Sequence, residues 1–418
     1  MVVIIYNILL VLYKAGISIA SLFNQKAKLW LTGRRNLLPQ LKQLIKRDTP
    51  VIWMHCASLG EFEQGRPVLE QIRKDFPNYK ILLSFFSPSG YEIRKNYDGA
   101  DWVCYLPLDS AGNAREFIRI INPSLVIFVK YEYWYHYLSE LHQRQIPTIL
   151  ISAIFQKNAV FFKWYGALQR RMIRFFSQVF VQDKESASRL QTLLPASKIT
   201  VAGDTRFDRV SAIAQNFAPV PAIDEWISPS PIIVAGSTWP EDEKYLKILL
   251  EKYDKIRLII APHEITKDHL KFIKSLFPQS ILYSEWSNRS SGSPLTNLPR
   301  VLVIDNIGML SRLYYYGSVG YVGGGFNKSG IHNTLEAAVY GRPVVFGPHY
   351  QKFAEAISLI KKEGGFTYST EDELIQIFNK LLSDPVVLQT YSNNAGRFVK
   401  GGTGATTLIL DWIRLHIS

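Results

Sequence analysis

Three segments in the first half of the sequence gather acids, hydroxyls and small residues directly after apolar runs. His55-Cys56-Ala57-Ser58-Leu59-Gly60-Glu61 follows one such run and precedes a helical stretch. Gly60 permits a tight strand-to-helix turn and lets a ligand approach the backbone beside Ser58. Glu61, in the first helical turn, is either a general base or a carboxylate that merely complements the helix dipole. The next run ends in Ser84-Phe85-Phe86-Ser87-Pro88-Ser89-Gly90. Its hydroxyls (Ser84, Ser87, Ser89) and Gly90 suit phosphate or sugar oxygens, and an ordinary N-cap is the plainer alternative. Lys130-Tyr131-Glu132-Tyr133-Trp134 closes the run LVIFV and brings a second carboxylate to the same edge. Two acids at one edge can divide the work, one as base and one steadying a cation, unless Glu132 serves only a salt bridge.

In the second half the densest signal is Val322-Gly323-Gly324-Gly325-Phe326, followed by Gly330-Ile331-His332-Asn333-Thr334-Leu335-Glu336 and then Gly341 to Pro348. Glycines bring backbone amides close to a phosphate, a helix starting near Asn333 would add its positive end, and Glu336 one turn in could meet ribose hydroxyls. Two more strand ends, Pro262-His263 and Asp305 to Met309 with Ile307 and Gly308, border the same expected pocket. The G-x-G-x-x-G spacing of dinucleotide folds and the Walker phosphate loop are both missing. With no D-x-D pair and no His/Cys cluster, neither a metal nor a cofactor is expected.

The elements that must position these residues follow a βαβ rhythm. VIWMHCAS, KILLSFFS, ADWVCYLPL, PSLVIFVKYEYW, IPTILISAIF and QVFVQD read as strands, and PIIVAGS, IRLIIAPH, RVLVIDN, VGYVGGG and RPVVFGP form a second set. The expected fold is α/β, two doubly wound parallel-sheet domains facing a central cleft where strand ends gather. The domains are drawn at 48–210 and 231–402, with 211–230 as a Pro-, Ala- and Ser-rich linker and 403–418 as a closing helix. Across 418 residues, a net charge of +13 points to anionic partners. Eight Lys or Arg residues precede the first acid, Asp48, and Val2 to Phe23 is mostly apolar. Residues 1–47 therefore read as a membrane anchor with a basic flank, spanning or lying in the interface, its positive flank holding the body on the cytoplasmic side. A buried N-terminal helix is the alternative. Lys157, Lys163, Arg170, Arg171 and Arg174 interleave with aromatics between Phe155 and Phe176, which suits headgroups and acyl chains. Nucleic acid is not expected, since no nucleic-acid module appears. Cys56 and Cys104 read as packing residues.

Taken together these residues resemble the 3-deoxy-D-manno-octulosonic acid (Kdo) transferases of lipopolysaccharide synthesis, which have the GT-B fold. The match runs along nearly the whole chain: H-x-x-S-x-G-E at His55 to Glu61, Glu132, G-x-x-[KR]-F-D at Gly203 to Asp208, Ala235 to Thr238, H-N-x-L-E at His332 to Glu336, and Phe346-Gly347-Pro348. The resemblance implies CMP-Kdo as donor, a lipid A precursor (lipid IVA) as acceptor, inversion at the anomeric centre, and the inner membrane as location. It makes Glu61 the base, puts Glu132 and Arg206 at positions supporting the transition state, and puts nucleotide contacts on Pro262, His263, Ile307, Gly308, Met309, Asn333, Thr334, Leu335 and Glu336. Arg206 stands where a lysine is usual, and Ala153 to Gln156 departs from the family's arginine and serines. A UDP-sugar transferase or epimerase, or a non-catalytic membrane-surface lipid-binding protein, are the rival readings.

Overall fold

The computed structural model describes residues 2–46, 49–289 and 298–417; Arg47 of the basic flank and Asp48, the first acid, lie outside them. The chain forms two compact units, Met1–Asp208 with Thr403–Ser418, and Arg209–Gly402. Each unit holds a seven-stranded sheet. In the first, β1 (Val51–Cys56), β2 (Lys80–Phe85), β3 (Trp102–Tyr105), β4 (Pro123–Val129), β5 (Thr148–Ala153), β6 (Gln178–Val181) and β7 (Ile199–Val201) lie in the order β3-β2-β1-β4-β5-β6-β7. In the second, β8 (Ile232–Thr238), β9 (Arg257–Pro262), β10 (Ile281–Leu282), β11 (Val301–Val303), β12 (Val319–Val322), β13 (Val344–Phe346) and β14 (Gly365–Thr367) run β10-β11-β9-β8-β12-β13-β14. All pairings are parallel. The expectation of two doubly wound α/β units holds.

Continuous apolar strands form because both faces of a parallel sheet are covered. In β1 the period of two sends Val51 and Trp53 into one core layer and Ile52, Met54 and Cys56 into the other. Both cysteines are free and buried. The strand order reverses between β1 and β4 in the first sheet and between β8 and β12 in the second, and such switch points are where open α/β sheets bind ligands.

Three helices precede the first strand: α1 (Val2–Ala20), α2 (Gln25–Thr32) and α3 (Leu37–Leu44). Leu37, Leu41 and Ile45 join the first core. The segment 211–230 begins as the end of helix Thr205–Gln215 and then buries Val220, Ile223 and Trp226 completely. Arg257 stacks on Trp226 at 3.9 Å. Its Pro, Ala and Ser content signals irregular backbone, but the three large apolar side chains tie it into the second unit. The closing helix Ala405–His416 packs in the first unit, with Ile409, Leu410 and Ile413 in the same core layer as β1. Asp208 caps it by accepting from the amides of Gly404 (2.6 Å) and Thr406 (2.7 Å).

Candidate active site

Glu61 sits on α4 (Leu59–Asp75), which starts at once after β1. Ser58 is its N-cap and Glu61 the third helical residue, and the Ser58 amide donates to Glu61 Oε2 at 2.9 Å. The plain reading of this acid as a capping carboxylate is therefore true, and it also fixes the side chain's direction. Burial, then the negative charge of Glu132, pushes the Glu61 carboxyl up to about 7, against the pull of the Ser58 and Ala57 amides and Lys130. Gly60 is helical, and a Cβ there would meet only Ser58 Oγ, at 4.0 Å. Its missing side chain leaves open space beside Glu61; the turn itself does not require a glycine.

Glu132 follows β4 and is 7% exposed. Its Oε2 accepts from His55 Nε2 at 2.9 Å and from Trp134 Nε1 at 2.5 Å. Ser84, at the end of β2, is fully buried. Trp53 Nε1 donates to Ser84 Oγ (2.7 Å), which lies 2.8 Å from Nδ1 of His55. His55 Nδ1 also lies 3.1 Å from the Ser84 carbonyl oxygen, so Ser84 on one side and Glu132 on the other fix the ring's orientation. Ser84 thus lies beneath the site, where it orients His55, and does not face an acceptor. Lys130, between β4 and Glu132, holds a left-handed backbone (φ 65°) that a non-glycine residue adopts only under constraint.

The helix α5 (Pro88–Arg94) begins with Ser87 as N-cap, accepting from the Ser89 amide at 3.2 Å, and the two hydroxyls lie 3.0 Å apart. Ser89 is exposed, whereas Gly90 is buried where any Cβ would collide with the Phe85 ring. Gly90 is a packing glycine. Arg206 clasps Asp204 through Nε (2.9 Å) and Nη2 (2.6 Å). The adjacent Thr205 hydroxyl donates to the Gln64 carbonyl of α4, which ties this loop to the helix that carries Glu61.

In the second unit the strand ends bring three rings together. Trp239, after β8, stacks on His263, after β9, at 4.9 Å, and His263 stacks on His332, after β12, at 4.3 Å. Burial, and then the neighbouring His263, lowers His332 to about 4; burial also lowers His263. Both rings are neutral at neutral pH. Of this stack only His263 stood among the expected contacts. The Trp239-Pro240 pair directly after Ala235 to Thr238 was the available signal for the rest.

The glycine loop works differently from expectation. A Cβ at Gly323 would strike the Ser237 carbonyl, and one at Gly325 would strike the backbone of Gly347. The Gly324 amide is already taken by buried Asp242, at 2.9 Å. These glycines close-pack strand exits. The helix after Asn333 is one turn, Leu335–Ala338, so its dipole is small, and Asn333 caps its own Leu335 amide at 3.2 Å while its Nδ2 donates to Glu336 Oε1 at 3.1 Å. Thr334 and Leu335 are fully buried. Pro262 ends β9 in the core. Ile307 is 91% exposed beside Gly308, whose φ of 101° favours glycine although a Cβ there would meet open space, and Met309 turns inward. Among the described residues no group of three or more His, Cys, Asp or Glu could hold a metal ion.

Residues 31–209 match the family model described as 3-Deoxy-D-manno-octulosonic-acid transferase (kdotransferase). A 3-deoxy-D-manno-octulosonic acid transferase of Haemophilus influenzae is 26% identical over 381 residues, covering 88% of this chain and 87% of that protein. The enzyme of the same description from Aquifex aeolicus is 27% identical over 348 residues, covering 82% and 89%. Among solved structures, UDP-GlcNAc 2-epimerase from Neisseria meningitidis superposes with TM-score 0.60 at 16% identity, over 87% of this chain and 99% of that one. MurG of Acinetobacter baumannii gives 0.56 at 15%, with 87% and 99% covered. These two likenesses speak for the fold, the GT-B type. The similarity to the curated relatives extends over most of the chain, which is thus similar to the 3-deoxy-D-manno-octulosonic acid transferases along both units.

Proposed function

We propose that this chain transfers Kdo from CMP-Kdo to a lipid A precursor such as lipid IVA, inverting the anomeric centre, with Glu61 as general base. The observation that carries the reading is the Glu61 carboxyl itself. It is fixed by the Ser58 amide, raised to about 7, and flanked by the open space over Gly60. A base with that affinity is half ionised near neutrality and accepts a hydroxyl proton with little mismatch. Glu61 takes the proton of the acceptor hydroxyl as its oxygen bonds to the sugar carbon. The bond from that carbon to the CMP phosphate breaks, and CMP leaves with the electron pair. Glu132, held by His55 and Trp134, keeps Glu61 basic by its charge, and Arg206 balances the phosphate's negative charge.

The Trp239, His263 and His332 stack supplies flat, uncharged surface for the nucleotide, and Ile307 to Met309 and Asn333 to Glu336 frame it. The acceptor is met by Ser58, Gly60, Ser87 and Ser89. A lipid acceptor agrees with the basic N-terminal flank and with attachment to the inner membrane, the catalytic units on its cytoplasmic side. The test incubates purified protein with a lipid A precursor and either CMP-Kdo or UDP-sugars and reads the lipid's mass. One or more Kdo increments with CMP-Kdo alone support the assignment, and transfer from a UDP-sugar overturns it.

A further inference from the structure

Hydropathy marks α1 as long and apolar enough to cross a bilayer, with mean hydropathy 2.1 over 19 residues. Its side chains are sorted by face. At about 100° per residue, Asn7, Lys14, Ser18 and Ser21 of α1 and its extension fall within roughly 60° of arc. Ile4, Ile5, Ile8, Val11, Leu12 and Ile19 occupy the adjoining arc of about 120° and are each at least half exposed.

The half-buried Val3, Tyr6, Leu10 and Ile17 form the side that rests on the first unit, and the polar arc, exposed at Asn7, Lys14 and Ser18, borders it. Tyr6 donates to the buried Asp109 at 2.6 Å, and Asn7 Oδ1 accepts from His136 Nε2 at 2.7 Å. Tyr13 packs against Trp30 and Phe86 at 5.8 and 6.2 Å. Farther along, Lys14, Ser18 and Ser21 line a cavity of about 600 Å³ with Arg34, Arg35, Asn113 and apolar walls from Trp30 and Leu38; among the described residues no carboxylate lines it. Arg34 is committed to the fold, donating to the carbonyls of Trp30, Phe86 and Leu106. A helix held to the body at Tyr6, Asn7 and Tyr13 cannot also leave it to span about 30 Å of hydrocarbon.

We propose that α1 lies in the plane of one leaflet, apolar face inward, and that the cavity it closes with α2 and α3 binds the phosphate of an anionic lipid headgroup through Lys14 and Arg35. The fit is in charge and depth: cations on the polar arc between the docked side and the apolar face of an interfacial helix sit at headgroup level. The proposal stands apart from the transferase reading, because its readouts need no turnover.

Full-length protein is bound from outside to sealed vesicles of zwitterionic phospholipid, with or without an anionic phospholipid. Anionic lipid should tighten wild-type binding about tenfold or more. K14A/R35A should lose that gain and keep its binding to zwitterionic vesicles, whereas the charge-matched control K26A/K28A should retain most of it. Equal loss in both double variants would reduce the effect to general surface charge and overturn the cavity assignment. So would displacement by inorganic phosphate at constant ionic strength, which would assign the cavity to a free anion. For orientation, V2C is probed with an impermeant maleimide, Cys56 and Cys104 being buried. Labelling without detergent supports the in-plane helix, and protection until detergent is added overturns it.

Discussion

At the carboxyl edge of the first sheet, burial acts on acids: it lifts Glu61 to about 7 and encloses Glu132 in bonds from His55 and Trp134. At the corresponding edge of the second sheet it acts on imidazoles, lowering His332 to about 4 and stripping charge from a stack of three rings. The same physical cause, desolvation, gives opposite products because the charged form is an anion in one place and a cation in the other. One edge is left able to exchange a proton near neutral pH. The other offers uncharged surface. In the reaction we propose, the first edge removes the proton and the second holds the nucleotide.

The largest expected effect tests the acidic edge. Glu61→Gln should lower kcat by about a hundredfold or more while CMP affinity changes less than twofold, read by steady-state kinetics and calorimetry. More than about a tenth of the wild-type rate would end its assignment as base.

Glycines give the next contrast. Gly325→Ala forces a methyl against Gly347 and should destabilise by about 1–3 kcal/mol, as overpacking does. Gly60→Ala, helical and open, should hold or raise stability by up to about 1 kcal/mol while raising the acceptor KM. Thermal unfolding of the pair decides it, and equal losses would erase the distinction between a packing glycine and a ligand-side glycine.

Removing a ring from the neutral edge should be milder. Trp239→Ala is expected to weaken CMP binding about tenfold, the scale of one aromatic stacking contact, without moving the pH profile. A shifted profile would mean that the two edges are not separable in this way.

The smallest effect sharpens the acidic edge alone. Activity should fall as pH drops through about 7 and Glu61 takes up its proton. Since Glu132 adds to that rise, Glu132→Gln should move the limb to lower pH by less than about one unit. Stability follows with its own sign. A carboxyl raised above its ordinary range favours the fold while protonated, and that contribution is lost as pH rises from about 4.5 through 7, so Glu61→Gln should flatten the unfolding free energy there.

Eleven strands were legible because each is an apolar run long enough to show its character. β7, β10 and β14 were not: they are no shorter than β11 and β13 by more than one residue, but their side chains are partly exposed, so no fully apolar run marks them. In the stretch 211–230 composition reports backbone irregularity and carries no information on packing, since Trp226 is buried by partners far along the chain. At the site, the position of Glu61 after a strand was readable from His55 to Glu61 alone, and so was the capping role of Ser87.

What this sequence determined unaided was which residues stand at strand exits, because strand runs and turn residues are local properties. What only the tertiary structure decided was what those residues experience. Ser84 became a strut for His55, the glycines 323 and 325 became points of strand contact, and Trp239, His263 and His332 became one stack. The affinity of Glu61 for a proton belongs to the same group. Desolvation and long-range charge depend on how much chain closes around a group, and neighbours dozens of residues away supply that enclosure.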